Sequence, residues 1–209
     1  ISKANFVIAG NEYLASYAQQ FCDKVVVIPT TIDLSYHNTL EEHTANICIG
    51  WTGSFSTLPY FELLLPVLSR LKKEFSSIEF KVIVDEDKFF PEIDTHTTRW
   101  DKQTEIDELD SISIGIMPLP NNEWTKGKCG FKGLQYMALK KPCVMSAIGV
   151  NNEIIESGKN GFLAHTDQDW YNYLKALIED RQLRVVLGEK GYQTIHERYS
   201  VEGNKDKYL

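Results

Sequence analysis

The sequence predicts an α/β fold of the doubly wound type, in which a mostly parallel sheet is covered by helices on both faces. Strand-like apolar runs alternate with amphipathic stretches along most of the 209 residues, and parallel strands need such helical crossovers between them. A hydrophobic fraction of 43% with 24% charged residues is that of a globular protein that buries a core.

The N-terminal part of the chain predicts one β-α-β unit. Strands are expected at residues 5–10 and 24–30, and a helix capped by Asn11 connects them. The apolar face of this helix consists of Leu14, Tyr17, Ala18 and Phe21. Residues 34–45 are polar and lose the periodicity, so they predict a linker with a domain boundary near residue 37.

From residue 46 onward the alternation is regular and predicts a larger sheet. Strands are expected in the segments NICIGW, FKVIV, THTTRW, SISIGIMPL, PCVMS and NGFLAHT. Helices are expected at residues 57–74, 103–109, 131–140 and 151–157. Pro66 predicts a kink in the first of these helices, unless that helix is shorter.

The C-terminal part predicts a helical hairpin. Thr166 begins the segment TDQD, a capping signature with an acidic residue three positions on. The apolar face of the first helix consists of Trp170, Leu174, Leu177 and Ile178. We expect the hairpin to break near Gly188 or Gly191, because glycine is the residue least favourable to a helix interior after proline.

The charge balance argues against two classes of partner. A net charge of -7 is opposite to the basic excess that nucleic acid or a broad anionic membrane surface selects. We therefore expect no nucleic-acid partner. A local cluster of lysines in such an acidic chain is more noticeable for the same reason.

The spacing of potential metal ligands predicts neither a zinc site nor a disulfide framework. The cysteines Cys22, Cys48, Cys129 and Cys143 are scattered, with no CxxC pattern. The histidines His37, His43, His96, His165 and His196 are likewise isolated from any ligand spacing. A reducing, cytoplasmic setting without a bound metal is the expectation.

The sequence contains no apolar run near the ~20 residues that a membrane-spanning helix requires, and no signal-peptide pattern. It begins ISKANFVIAG, without methionine and almost directly in a strand. We therefore expect it to be a piece of a longer protein.

Three lysines surround the start of the helix expected at 131–140. Lys126 and Lys128 precede it and Lys132 lies in its first turn, although the positive end of the helix dipole disfavours cations by roughly 0.3 to 1 kcal/mol each. Gly127 and Gly130 allow close approach of a ligand. A bound diphosphate would remove the conflict. The alternative, that these lysines face water, stays open.

The segment GWTGSFST at residues 50–57 is a second candidate loop at the end of a strand. Gly50 and Gly53 let the backbone approach a ligand, and Ser54 can bind or cap. It matches neither GxGxxG nor the P-loop pattern. A tight turn with an N-cap explains it equally well.

The run GKCGFKGLQYMALKKPCVMS, followed by IGVNNEIIESGKNGFLA, resembles the donor-sugar half of retaining glycosyltransferases of family 4. VIAGNEYLASYA, VVVIPTTID and IGWTGSFSTLPYFELLLPVLSRL are similar to the segments expected before it, so the resemblance spans nearly the whole chain. It implies one Rossmann-like half of a GT-B architecture. Residues 1–36 would be the end of the N-terminal acceptor domain with its hinge, and 37–209 the C-terminal donor domain.

The resemblance also implies site residues. Lys132, with the amides near Gly130 and Phe131, would hold the donor diphosphate. The loop of Gly53 and Ser54 would face it, without the arginine and lysine often found just beyond that loop in the family. Lys126 and Lys128 lie close by in sequence.

Gln135 occupies the position of the second glutamate of the E-x7-E motif of the family, which bonds the donor ribose. Gly127 replaces the first glutamate, so the identity of the sugar and the catalytic arrangement are not carried over. The base is expected near Trp100 and Asp101.

The function implied is transfer, with retention and without a metal, of a hexosyl-type sugar from a nucleoside-diphosphate sugar to an acceptor hydroxyl. Polysaccharide or glycoconjugate synthesis in the cytoplasm, at the inner face of a membrane, fits the family. A glycan or lipid-linked acceptor, and any peripheral membrane association, would use the missing N-terminal domain, so this fragment alone is expected to bind donor without transfer.

Two alternatives stay open. A non-catalytic nucleotide or nucleotide-sugar binding module would explain the loss of the first motif glutamate. A flavodoxin-like signalling domain would need an acidic phosphoacceptor site, which only Asp85 and Asp87 imitate.

Overall fold

A computed structural model describes residues 1–37 and 46–207 of the chain. The boundary predicted near residue 37 is at the edge of the described range. The rest of the predicted linker, residues 38–45, lies outside it.

The N-terminal β-α-β unit forms as predicted. Strands β1 (Val7–Ala9) and β2 (Val25–Val27) pair in parallel as a sheet of their own, joined by α1 (Glu12–Ala18). Asn11 caps α1, because its side chain accepts a hydrogen bond from the Leu14 amide at 2.9 Å. Of the predicted apolar face only Ala18 is buried; the exposed fractions of the other side chains are Leu14 38%, Tyr17 55% and Phe21 46%.

The main sheet has seven strands in the order β5-β6-β4-β3-β7-β8-β9. Their bounds are β3 Cys48–Thr52, β4 Glu79–Val84, β5 Phe89–Phe90, β6 Thr95–Arg99, β7 Ile114–Met117, β8 Cys143–Ser146 and β9 Phe162–Ala164. All neighbours pair in parallel except β5 and β6. The short antiparallel strand β5 was not predicted from the sequence.

Helices connect the strands of the main sheet and follow the last one. Their bounds are α2 Leu58–Glu62, α3 Leu65–Glu74, α4 Glu105–Asp110, α5 Glu123–Lys126, α6 Phe131–Ala138, α7 Asn151–Ile154, α8 Asp167–Glu179, α9 Arg181–Thr194 and α10 Val201–Asn204. A 3-10 turn (Phe55–Thr57) precedes α2, a π-helical turn (Ile195–Tyr199) follows α9, and a 3-10 turn (Lys205–Lys207) follows α10. Helix α5 was not predicted.

The central strands β3, β7 and β8 are buried on both faces, which is the arrangement that a doubly wound sheet requires. Val82 and Val84 of β4 pack in a core with Leu68 of α3, whereas Ile83 between them packs in a second core with Leu134 of α6. The carboxyl ends of the parallel strands therefore meet at one edge, beside the helix N-termini.

Two predictions about helix breaks have different outcomes. The helix expected at 57–74 is interrupted, and α3 begins at Leu65 with Pro66 in its first turn, where proline costs no hydrogen bond. The break expected at Gly188 or Gly191 is wrong, because α9 runs through both. A Cβ on Gly188 would lie 2.0 Å from the Lys140 carbonyl oxygen, so this glycine permits close packing instead.

The end of the chain returns to the N-terminal unit. The Ile32 amide donates to the Tyr199 carbonyl at 2.7 Å, and the Val201 amide donates to the Ile32 carbonyl at 3.0 Å. The last helix is thereby tied to the segment that leads out of β2.

Candidate functional site

A cleft of about 350 Å³ opens at the carboxyl edge of the main sheet, between the ends of β3, β4 and β6 and the start of α6. It is lined by Thr52, Gly53, Ser54, Asp85, Trp100, Glu105, Phe131, Lys132 and Gln135. The sequence placed most of these in separate candidate loops. The parallel sheet brings them together, because each follows a strand or opens a helix at the same edge.

The loop after β3 packs closely on the core beneath it. A Cβ on Gly53 would lie 2.3 Å from the buried Trp51 ring, so only glycine fits there. The Thr52 amide cannot donate to a ligand in this arrangement, since it already donates to the Tyr136 hydroxyl at 3.0 Å. Burial raises the pKa of that hydroxyl, which therefore stays protonated at neutral pH.

Three backbone amides of this loop, those of Gly53, Ser54 and Phe55, are already hydrogen-bonded. Gly53 donates to the Ile83 carbonyl at 2.9 Å. Ser54 donates to Thr57 Oγ1 at 3.1 Å, and Phe55 donates to Asp85 Oδ1 at 2.7 Å. The loop can therefore offer a ligand the Ser54 hydroxyl, which lies 3.0 Å from Ser56 Oγ, but not the amides of these three residues.

At the start of α6, in contrast to the loop after β3, the backbone amides are free to bind a ligand. Gly130 adopts φ 72° and ψ 10°, a left-handed conformation that favours glycine, and no side chain caps the helix. Within the described ranges, the amides of Phe131, Lys132 and Gly133 donate no hydrogen bond. These amides, at the positive end of the helix, form a donor site for an anion.

Lys132 is a largely buried cation beside these amides. No carboxylate of the described residues pairs with it, and its Nζ lies 5.7 Å from the centroid of the Trp51 ring. Burial, together with the charge of Lys128, lowers the pKa of Lys132 to about 8. An unpaired cation that is desolvated at a helix N-terminus is unfavourable unless an anion binds there.

Gln135 lies one turn after Lys132 and is 3% exposed. Its Nε2 donates to Glu105 Oε1 at 3.2 Å, and Trp100 Nε1 donates to the same oxygen at 3.2 Å. Glu105, the first residue of α4, was not identified from the sequence. The signal that could have found it is its position, an acidic residue that opens a helix soon after a strand of the parallel sheet.

The other predicted site residues lie outside the cleft. Lys126 forms an exposed ion pair with Glu123 at 2.6 Å, which raises the pKa of the lysine. The Nζ of Lys128 lies 5.6 Å from the Trp124 ring centroid. Asp101 accepts a hydrogen bond from the Gln103 amide at 2.7 Å within its own turn. The structure therefore brings Trp100, but not Asp101, to the cleft.

No group of three His, Cys, Asp or Glu side chains could hold a metal ion within residues 1–37 and 46–207. His43 lies outside those ranges. In the same ranges, no helix has the length and hydropathy needed to cross a membrane.

The fold is that of one domain of a GT-B glycosyltransferase. TarM of S. aureus, a mutant of which was solved with fondaparinux, α-GlcNAc-glycerol and UDP, matches with a TM-score of 0.80 at 20% identity over 99% of this chain and 43% of its own. HepE of Anabaena, solved with UDP and glucose, matches with a TM-score of 0.80 at 15% identity over 98% of this chain and 62% of its own.

A separate domain gives a similar result. The C-terminal domain of the group 1 glycosyltransferase LpcC from Francisella tularensis matches with a TM-score of 0.64 at 16% identity, over 81% of this chain and 99% of its own. The chain thus spans 43% of TarM and 62% of HepE. A search of curated protein sequences finds no match.

The sequence profile of the family described as Glycosyl transferases group 1 matches residues 46–180. The chain belongs to this family. The matched range includes every residue that lines the cleft.

Proposed function

We propose that the cleft binds the nucleoside-diphosphate sugar donor of a retaining, hexosyl-type glycosyltransferase of family 4. The observation that carries the proposal is Lys132, a largely buried lysine without a carboxylate partner in the described chain, beside the unpaired amides that open α6. A diphosphate would accept from both and would raise the pKa of the lysine back toward its ordinary value.

The proposed pose follows the cleft from α6 toward β6. The diphosphate lies at Phe131, Lys132 and the Gly130 turn, with the Ser54 hydroxyl opposite. The ribose lies at Gln135, one helical turn further on. The base lies near the exposed side of Trp100, with Asp101 beyond it. Lys126 and Lys128 then act on the diphosphate only through their longer-range charge.

The proposed chemistry uses this site to stabilise the leaving group. As the bond from the anomeric carbon to the diphosphate breaks, negative charge develops on the phosphate oxygens, and preorganised cations and amides at that position lower the barrier. We propose that no metal is required. The acceptor hydroxyl, of a glycan or a lipid-linked glycan, attacks from the same face and is held by a separate acceptor domain.

This assignment places the reaction in polysaccharide or glycoconjugate synthesis in the cytoplasm, at the inner face of a membrane when the acceptor is lipid-linked. UDP is the first donor nucleotide to test, because UDP is present in the structures of TarM and HepE.

A second candidate function rests on Gly127. In the resembled family a glutamate of the active site stands at this position, and without it the chain could bind donor and transfer nothing. The structure leaves room for a Cβ at this position, because a Cβ on Gly127 would lie no closer than 3.4 Å to Leu14 or to the Trp124 carbonyl. Acceptor-dependent release of UDP by protein that includes the acceptor domain separates transferase from binding module.

The binding proposal is tested by thermal unfolding with UDP, GDP and ADP in EDTA. A ligand at about 100 times its Kd stabilises a protein by roughly 2.7 kcal/mol, which at this size raises Tm by about 5 to 10 °C. We expect one nucleotide to give this shift for the wild type and for Lys159→Met, an exposed control with the same change of charge. Lys132→Met should lose the shift.

Two outcomes would contradict the proposal. The wild type could show no shift with any nucleotide at millimolar concentration. Alternatively, Lys132→Met could retain the full shift, in which case the anion is bound elsewhere. A shift that disappears in EDTA would contradict only the metal-free mechanism.

A further inference from the structure

The Glu105 carboxylate connects side chains from separate parts of the chain at one wall of the cleft. Its Oε1 accepts hydrogen bonds from Gln135 Nε2 and from Trp100 Nε1, each at 3.2 Å. Its Oε2 lies 3.2 Å from the Tyr36 hydroxyl, which shares its single proton between this oxygen and the Lys102 carbonyl at 3.3 Å. Both oxygens are therefore occupied by donors, and the carboxylate holds α6, the turn after β6 and the segment before residue 37 together.

This contact decides which way the Gln135 amide faces. An ionised carboxylate can only accept hydrogen bonds, so the amide must turn its NH2 group toward Glu105. Its carbonyl oxygen then points away from the carboxylate. No residue of the described chain donates to that oxygen, which keeps accessible surface at the cleft wall.

We propose that Glu105 is a positioning residue that holds the Gln135 carbonyl oxygen toward the hydroxyls of a ribose, and so makes the cleft select ribonucleotides over deoxyribonucleotides. The proposal rests on the proposed function, which places a nucleoside diphosphate in this cleft. It concerns how a neutral glutamine can replace the carboxylate that the resembled family has at this position.

Three physical effects support this role. A carbonyl oxygen has two lone pairs and can accept from both ribose hydroxyls, as one oxygen of a carboxylate does. Hydrogen bonding of the NH2 group to a negative charge also polarises the amide, which strengthens its carbonyl as an acceptor. An amide held in one orientation loses less conformational freedom on binding than one that must first turn over.

The test compares UDP, 2′-deoxy-UDP and inorganic pyrophosphate by calorimetric titration. We expect the wild type to bind UDP about three- to tenfold more tightly than 2′-deoxy-UDP, the range of one hydrogen bond. Glu105→Gln has nearly the same shape but can present either a donor or an acceptor to Gln135. It should lose most of this ratio, while its Kd for pyrophosphate stays within about twofold of the wild type.

Exchanging the two side chains, so that glutamine stands at 105 and glutamate at 135, should restore the nucleotide preference. Gln135→Glu alone places a second carboxylate 3.2 Å from Glu105 Oε1, and the repulsion between like charges should weaken UDP binding. In the double variant Glu105→Gln with Gln135→Glu, the amide at 105 donates to the carboxylate at 135. The Trp100 indole is 42% exposed and can donate to water instead. Preference for UDP over 2′-deoxy-UDP should return to the wild-type level or exceed it.

The outcomes separate this proposal from the proposed function. If the wild type binds UDP and Glu105→Gln keeps the full ratio, or if the wild type does not distinguish the two nucleotides, the positioning role of Glu105 is overturned and donor binding stands. Failure of the double variant to recover the ratio also counts against it. If the wild type binds neither UDP nor pyrophosphate, both proposals fail.

Discussion

The two segments that approach the cleft differ in what holds them in place. The loop of Gly53 and Ser54 is held within the main domain, by Ile83, by Thr57 and by the Asp85 carboxylate. The segment of residues 126–130 is held from the N-terminal unit, because Asn11 Nδ2 donates to the carbonyls of Lys128 at 3.1 Å and Lys126 at 3.5 Å.

The two segments also differ in the hydrogen-bond donors and the charge that they offer a ligand. The first segment has used its amides internally and lies beside a negative charge, whereas the second leads into a helix whose first amides are free. A bound anion therefore depends mainly on residues 126–132. It follows that the anion site depends on how the N-terminal unit packs, although that unit supplies no residue to the lining of the cleft.

The largest effect is expected for Gly130→Ala. The substitution puts a Cβ at φ 72°, 2.3 Å from Ile154 Cδ1, and we expect it to cost about 2 to 4 kcal/mol of stability from backbone strain and overpacking. Urea unfolding measures this cost. Gly158→Ala is the matched control, since the φ of Gly158 is 82° and nothing lies within 4 Å of a Cβ at that position. An equal loss of stability at both positions would show that overpacking against Ile154 contributes nothing.

Lys132→Met is expected to stabilise the protein without ligand by about 1 to 3 kcal/mol at pH 7, because it removes a buried charge. The folded pKa of about 8 lies below that of an unfolded lysine, 10.5. The unfolded state therefore binds more protons between these values, so wild-type stability should rise with pH across that window. The variant should lack this rise.

The same lysine gives binding a pH dependence of opposite sign. Above about pH 8 the free site loses its charge, so the affinity of the wild type for UDP should fall as pH rises. Calorimetry at pH 7 and pH 9 measures the change. An affinity that is the same at both values would show that Lys132 does not contact the anion as a cation.

Asn11→Ala is expected to cost about 1 to 3 kcal/mol, since it removes the cap of α1 and the hydrogen bonds to residues 126 and 128. Asn11→Asp keeps the capping oxygen but cannot donate. It should therefore be more stable than Asn11→Ala and still weaken UDP binding. Thr166→Ala, which removes only the cap of α8, should cost about 1 kcal/mol and leave UDP binding unchanged.

Asp85→Ala tests the other segment. It leaves the Phe55 amide without its acceptor and should cost about 0.5 to 1.5 kcal/mol, whereas Asp85→Asn retains an acceptor oxygen and should cost less. Neither should weaken UDP binding, because each removes a negative charge from the cleft. If either Asp85 variant weakened UDP binding as strongly as Asn11→Asp does, the two segments would not differ in their contribution to the anion site.

The smallest effect is expected for Lys126→Met, which breaks an exposed ion pair worth less than about 0.5 kcal/mol. Its effect on UDP affinity should be under about threefold, since Lys126 does not line the cleft. A loss comparable with that of Lys132→Met would show that the 126–130 segment moves into the cleft when the nucleotide binds.

Most strands and the lysine-bearing helix were predictable because their signals are local. Asn11 and Thr166 indicate the starts of helices because their own side chains cap them. The alternation of apolar runs with helices predicts a parallel sheet. The break predicted at Gly188 or Gly191 was wrong because helix propensity describes an isolated helix. In the folded protein, close packing of these glycines against Lys140 and Met137 determines that the helix continues.

What the sequence by itself determined is the fold class, the order of most elements and the glycine and lysine residues that could meet an anion. Only the tertiary structure decided which of them share a cleft, because Ser54, Glu105 and Lys132 belong to elements far apart in the chain. It also distinguished Lys132, which has no carboxylate partner among the described residues, from Lys126, which pairs with Glu123. The Glu105 contact with Gln135 was also visible only in the structure, because a hydrogen bond between residues on different helices produces no pattern in the sequence.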